Sequence, residues 1–282
     1  MKIMVTGAGG QLGKDLVDSL GQHHQVIALT RAELDITNQE QCKQIIHTVR
    51  PDAVIHAAAY TAVDLAESEE DQAYAVNAFG TRNIAAAVQE IGAKLCYIST
   101  DYVFDGNSNV PYREYDNTNP TGVYGKSKRA GEQLVQSLCE RYFIVRTSWV
   151  YGKYGSNFVK TMLKLGQDKK ELKVVHDQIG SPTYTVDLSC FLETLVLTEK
   201  YGIYHASNSG ICSWYEFAQA IFAESGANVV VHPCTTEEFP RPAPRPKFSV
   251  MDHLSIRANG FQDLRPWQEA LREFLQNMNN GD

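Results

Sequence analysis

The sequence offers little to a metal or a disulfide. Its six cysteines (Cys42, Cys96, Cys139, Cys190, Cys212 and Cys234) are scattered, and no two form a Cys-x-x-Cys pair. None groups with the eight histidines at ligand spacing, which leaves the reduced thiols of a cytoplasmic protein as the reading and no metal as the expectation. Positive charge is also scarce: 26 Lys and Arg stand against 33 Asp and Glu, for a formal charge of -7. That balance gives no general basic surface to nucleic acid or to an anionic membrane, so neither is expected as a partner, and an anionic ligand would need a local cation. No apolar run approaches membrane-spanning length, and the first residues read as a strand entering a glycine turn rather than as a signal peptide. Internal repeats, long charge runs and disordered linkers are absent too. What is present is 282 residues at 43% hydrophobic content, ample for a buried core in one large or two medium domains.

Lys2 to Thr6 is a short apolar run that ends in Gly7-Ala-Gly-Gly10-Gln11-Leu12-Gly13, after which Leu16, Val17 and Leu20 carry a helical period. Strand, glycine turn and helix in that order describe a pyrophosphate site. The turn needs Gly7, the backbone must approach the ligand at Gly10, helix and strand pack closely at Gly13, and the helix start presents free N–H groups. A second strand, Gln25 to Leu29, would end near the adenosine ribose of a dinucleotide. Thr30 and Arg31 there can accept a 2'-phosphate while Glu33 argues the other way, so NADPH or NADH is expected, with the balance toward NADPH.

Asp52 to His56 reads as a third strand running into the small-residue segment Ala57-Ala-Ala59-Tyr60-Thr61, and His56 reads as a packing residue. Ser68 to Glu90 keeps helical spacing through Ala73, Val76, Phe79, Ile84, Ala87 and Val88, which predicts one long helix, with Asn77 as a buried hydrogen bonder. Lys94 to Ile98 is a fourth strand that ends at Ser99-Thr100-Asp101, the side of a parallel sheet on which ligands sit. Pro120-Thr-Gly-Val-Tyr124-Gly-Lys-Ser-Lys128 then starts a helix. Its Tyr124 and Lys128, four apart, share one face, so the ammonium is expected near the phenol, favouring phenolate and making Tyr124 a usable acid and base. Such a pair also arises by chance, and it gains weight from Thr100 and the glycine turn.

Phe143 to Ser148 closes the strand and helix alternation. Residues 1–150 therefore read as a dinucleotide-binding domain, re-entered at about 180–210, with 151–179 and 211–282 mainly a substrate-binding domain. The fold class is α/β: a Rossmann-like doubly wound parallel sheet with a smaller C-terminal α/β domain. Glu238 to Lys247 is proline-stiffened and basic. Its Arg241, Arg245 and Lys247 can hold a diphosphate, an ordinary surface loop being the alternative.

The glycine turn, Thr100 and Tyr124-x-x-x-Lys128 together resemble the extended short-chain dehydrogenase/reductase superfamily. Within it, Thr6 to Gly13, Leu34 to Thr37, His56 to Asp64, Ser99 to Gly106, Asp177 to Thr183 and Arg245 to Ser249 resemble the dTDP-4-dehydrorhamnose reductase family over nearly the whole chain. The resemblance implies reduction of the 4-keto group of a dTDP-6-deoxyhexulose. Tyr124 would serve as proton donor, Lys128 would lower its pKa and hold the nicotinamide ribose, and Thr100 would bond the reacting oxygen.

The resemblance also implies that Gly10, Gln11 and Leu12 touch the cofactor phosphates, Asp35 and Ile36 the adenine, and Ala59, Tyr60 and Thr61 the middle of the cofactor. Thr100, Asp101 and Trp149 would touch the sugar nucleotide. Some members pair through a carboxylate-held metal. Asp15 stands at one such position but Val186 replaces another, so Asp15 is expected to be a solvated helix residue, and a homodimer stays open. The rivals are a sugar-nucleotide epimerase, a dehydratase, which needs a glutamate where this chain has Tyr102, and a binding module like the regulatory subunit of methionine adenosyltransferase, which needs no poised proton donor.

Overall fold

The structure, a computed structural model, describes residues 1–279. Its organising element is a six-stranded parallel sheet of β1 (Lys2–Thr6), β2 (Gln25–Leu29), β3 (Ala53–His56), β4 (Lys94–Thr100), β5 (Tyr142–Thr147) and the later strand Gly202–His205. In space the order is Gly202–His205, β5, β4, β3, β1, β2, so the chain reverses its direction of growth between β1 and β3. A crevice opens beyond the carboxyl ends of the strands at such a switch point. The expected doubly wound α/β sheet is therefore present.

Alternation along β1 shows why both faces are covered. Ile3 and Val5 join a core with Leu16 and Leu20 of α1 (Gln11–Leu20) and with Leu188, Leu192 and Leu195 of the helix Thr185–Val196. Met4 faces the opposite core, with Ile46 of α2 (Gln39–Val49), Ile84 and Val88 further along and Val135 beyond. Side chains of a strand alternate between faces, so a run apolar at every position has to be buried on both.

After the short α3 (Val63–Ala66), the segment expected to be one long helix is α4 (Glu70–Tyr74) and α5 (Thr81–Glu90) joined by a π-helical turn, Ala75–Gly80. The turn is the correction to a uniform 3.6-residue period. The wider turn rotates what precedes it, and Phe79 is left 53% exposed beneath the Arg82 guanidinium rather than in the core. The helix carrying Tyr124 and Lys128 is α6 (Val123–Leu138), begun by Gly122 in extended conformation.

A separate apolar cluster gathers Tyr151, Val159, Phe217, Ile221, Leu271 and Phe274. Over it lie the helices Phe158–Asp168, Trp214–Ser225 and Trp267–Asn279 and a two-stranded parallel pair, Glu171–Val175 with Val230–Cys234. Trp214–Ser225 starts sharply because Ser213 and Glu216 form a reciprocal capping box. Between these pieces the chain returns to the central sheet through Thr185–Val196 and Gly202–His205, and residues 280–282 of the expected 211–282 range lie outside the described residues. No helix among the described residues is long and apolar enough to cross a membrane.

Candidate active site

The crevice at the carboxyl ends of the strands is a cleft of about 1010 Å³, at the upper end of the roughly 300–1,000 Å³ common for small-molecule sites. Gly7, Gly10, Gln11, Leu12 and Gly13 line one end of it. Two of these glycines are required by geometry. Gly7 has φ +70° and a side chain there would meet Ala58 N at 2.6 Å, while a Cβ on Gly13 would fall 2.2 Å from Gly7 O. α1 begins at Gln11 with no side-chain cap and no acid in its first turn. Its first N–H groups therefore face the cleft unscreened, as an anionic diphosphate requires. The Gln11 side chain reaches across to Val150 O (3.1 Å) and accepts from Asn157 (2.8 Å), tying the phosphate end to the second half of the chain.

Arg31, Asp35 and Ile36 border the same cleft, but Glu33 does not. Glu33 accepts the Thr30 N–H at 2.7 Å, which turns it back on its own loop and holds its carboxyl below the usual range. Asp35 likewise accepts from Thr37 N and Oγ1 (3.0 and 2.7 Å), and those two bonds lower its pKa. With both acids engaged locally, Arg31 supplies the charge of this end.

Ala59, Tyr60 and Thr61 form the middle of the wall. They are held by Asn77, at the π-helical turn, whose Oδ1 accepts from Tyr60 N (2.8 Å) and whose Nδ2 donates to Tyr60 O (3.1 Å) and Ser127 Oγ (3.0 Å). Ser127 in turn donates to Tyr124 O (2.9 Å). One buried amide thus joins the wall after β3 to the helix carrying Tyr124. His56 is enclosed between Thr6 (2.6 Å) and Thr81 (3.2 Å), and burial lowers its pKa to about 3, so it is a neutral packing residue.

At the floor stand Thr100, Asp101, Tyr124, Lys128 and Trp149. The end of β4 is fixed one residue before Thr100: Ser99 donates to Glu132 Oε1 (2.6 Å), and Arg146 donates to both Glu132 oxygens (2.9 Å each). The Tyr124 phenol lies against Thr100 and edge-on to Tyr102, with ring centroids 5.5 Å apart. Burial pushes its pKa up to about 12, the adjacent Thr100 hydroxyl lowers it in part, and the charge of Asp101 raises it.

Here the structure departs from the helical-spacing argument. Lys128 does share the face with Tyr124, but its ammonium donates to Ile98 O (2.7 Å) and lies over the Tyr97 ring, 4.2 Å from the centroid. Burial lowers it to about 7, with Glu132 opposing. The phenol is therefore tuned by Thr100 and by desolvation. Trp149 adopts a left-handed φ of +48°, stacks on Trp214 at 3.6 Å and is pressed by Gly180. It is a rigid apolar wall, placed at some backbone cost.

Arg245 stands elsewhere. It does not line the cleft. Its guanidinium pairs with Asp64 Oδ1 (2.9 Å) and donates to Ala243 O (2.9 Å), while Arg241 holds Asp64 Oδ2 (2.5 Å). Asp15 is also corrected: it is buried, not solvated. It lies against Thr185 where the second half packs on α1, its Oδ2 is buried without a hydrogen-bond partner, and burial raises its pKa. Among the described residues no cluster of three or more His, Cys, Asp or Glu side chains could hold a metal ion. All six cysteines are free.

Ser148, Gly155 and Ser156 also line the cleft and carry no assigned role from the sequence. Ser148, just past β5, carries the same signal as Thr100, a polar residue at a strand's carboxyl end.

The sequence pattern of the RmlD substrate binding domain matches residues 1–280. The chain is 50% identical to the spore coat polysaccharide biosynthesis protein SpsK of Bacillus subtilis, over 98% of this chain and 97% of that one. It is 44% identical to a dTDP-4-dehydrorhamnose reductase of Aggregatibacter actinomycetemcomitans, over 96% and 97%. The crystal structure of a dTDP-4-dehydrorhamnose reductase from Bacillus anthracis in complex with NADP superposes with a TM-score of 0.96 at 50% identity, covering 98% of this chain and 99% of that one.

Proposed function

The chain belongs to the RmlD substrate binding domain family, and from that premise we propose that it reduces the 4-keto group of dTDP-4-dehydro-L-rhamnose to give dTDP-L-rhamnose, with NADPH as reductant, in dTDP-rhamnose synthesis. The observation that carries this reading is the convergence of Thr100, Tyr124 and Lys128 on one cleft with the uncapped start of α1. A reduced nicotinamide supplies the hydride for carbon 4 when it is bound.

The chain's own residues do the rest. Gly7, Gly10, Gln11, Leu12 and Gly13 receive the diphosphate of the cofactor on backbone N–H groups. Arg31 meets the 2'-phosphate, Asp35 and Ile36 border the adenine, and Ala59, Tyr60 and Thr61 carry the middle of the cofactor. Lys128 binds the nicotinamide ribose. Tyr124 gives its phenolic proton to the carbonyl oxygen as that oxygen gains charge, and Thr100 donates a hydrogen bond to the same atom.

Asp101 and Trp149 border the sugar. Arg245 serves the nucleotide diphosphate by exchanging Asp64 for phosphate oxygens, a swap of one anion for another. A cytoplasmic setting suits the six free cysteines.

The test is loss of reduced-nicotinamide absorbance with purified protein and dTDP-4-keto-6-deoxyglucose, with and without a 3,5-epimerase. Epimerase-dependent oxidation yielding dTDP-L-rhamnose, faster with NADPH than with NADH, is expected. No oxidation under either condition, with cofactor bound, would move the reading to a binding module.

A further inference from the structure

One hydroxyl in the cleft serves two neighbours that compete for it. Thr100 Oγ1 accepts the Tyr102 N–H at 3.2 Å and directs its own proton at Asp101 Oδ1, 3.0 Å away. The same hydroxyl lies against the Tyr124 phenol and lowers its pKa. A threonine hydroxyl has a single proton, so it cannot donate to Asp101 and, at the same moment, to a phenolate or a substrate oxygen.

Asp101 is 2% exposed, and among the described residues no Lys, Arg or His forms an ion pair with it. Lys128, from α6, points to Ile98 O, and Arg245, from the proline-rich segment, points to Asp64. The groups that do face it are Tyr124 from α6, Tyr102 beside it and the Ser249 hydroxyl from the C-terminal segment.

We propose that Asp101 is a positioning residue whose charge sets the direction in which Thr100 donates, and so gates delivery of the Tyr124 proton to the substrate oxygen. This rests on the reductase reading above. With Asp101 ionised, the Thr100 proton is held by the carboxylate, and the neighbouring negative charge makes the Tyr124 phenol a weaker acid. With Asp101 neutral, its own O–H donates to Thr100 Oγ1 and the Thr100 proton turns to the oxygen that becomes an alkoxide. No proton leaves Asp101 in the hydride step: Tyr124 supplies the proton that completes the alcohol, and solvent restores it after product departs.

Burial raises the Asp101 carboxyl to about 6, the Ser249 and Thr100 hydroxyls opposing the shift, so both forms are populated near neutrality. The sign follows from this. The neutral fraction grows as pH falls through the Asp101 pKa, and the reduction accelerates in that direction.

Single-turnover reduction measured between about pH 5 and about pH 8 tests the gate. In the wild type the rate should fall about a hundredfold as pH rises, the loss of one oriented donor. In Asp101→Asn, which cannot ionise, that fall should vanish and the profile should be flat across this range, whatever the absolute rate. Parallel profiles in the two proteins would overturn the proposal.

Isotope-edited infrared titration of the Asp101 carboxyl reads the coupling without turnover. The Asp101 pKa should rise in Thr100→Val, which removes a bond to the carboxylate, and an unmoved pKa would overturn the proposal even with NADPH-binding protein intact. A wild type that titrates as expected yet oxidises no NADPH with any keto-sugar nucleotide would sink the reductase reading and leave the Asp101 to Thr100 coupling standing.

Discussion

At the residue scale, the chemistry turns on a phenol that the protein makes a poor acid until a reacting oxygen arrives. Tyr124 is raised to about 12 by burial, and the neighbouring Thr100 hydroxyl opposes the rise. Removing only the phenolic oxygen, in Tyr124→Phe, should cut turnover by about a hundredfold or more. NADPH affinity, measured by fluorescence titration, should stay nearly unchanged. Turnover within a few-fold of wild type would remove Tyr124 from the mechanism. The pairing of Tyr124 with Lys128 was legible in the sequence because a four-residue spacing on a helix fixes a shared face. The direction of the ammonium was not, since Lys128 is a flexible cation that goes to the Ile98 carbonyl, 30 residues away in sequence.

At the element scale, the wall of the cleft depends on the π-helical turn between α4 and α5. A wider turn places Asn77 where one amide can satisfy both polar groups of Tyr60 and reach Ser127. Asn77→Ala leaves the Tyr60 N–H and its partners without those bonds, at a cost of about 2–3 kcal/mol in urea unfolding. It should also raise the NADPH KM several-fold while leaving the substrate KM nearly constant. An unchanged stability would show that the turn holds its shape without Asn77.

Periodicity predicted a helix across this region because five of the six apolar positions do fit. Phe79 is the misfit, and a π-helical turn cannot be told from an α-turn by counting apolar residues. The strands of the central sheet were easier. A run apolar at every position, as in Ile3 to Val5 or Val54 to Ile55, has few alternatives to burial on both faces. Val230–Cys234 is not legible in the sequence because His232 and Pro233 break its apolar run, most of it stays exposed, and it is held as a strand by pairing with the distant Glu171–Val175.

At the scale of the whole molecule, the two halves meet through contacts that no local pattern announces. Asp64, just beyond the cofactor wall, receives Arg241 and Arg245 from the proline-rich segment 177 and 181 residues later. The arginines are legible in the sequence as a basic stretch, but their carboxylate is not, because Asp64 lies in the other half of the chain. Arg245→Ala should raise the substrate KM about tenfold with little change in the NADPH KM. If Arg245 only braces the fold, both constants should stay near wild type while thermal stability falls.

One coupled assay tests reduction of a dTDP-keto-sugar in this cleft directly: NADPH oxidation with dTDP-4-keto-6-deoxyglucose in the presence and absence of a 3,5-epimerase, with the product identified by mass and chromatography. Oxidation that requires the epimerase and yields dTDP-L-rhamnose is the predicted result. NADPH bound but not consumed, with the epimerase active, would contradict it.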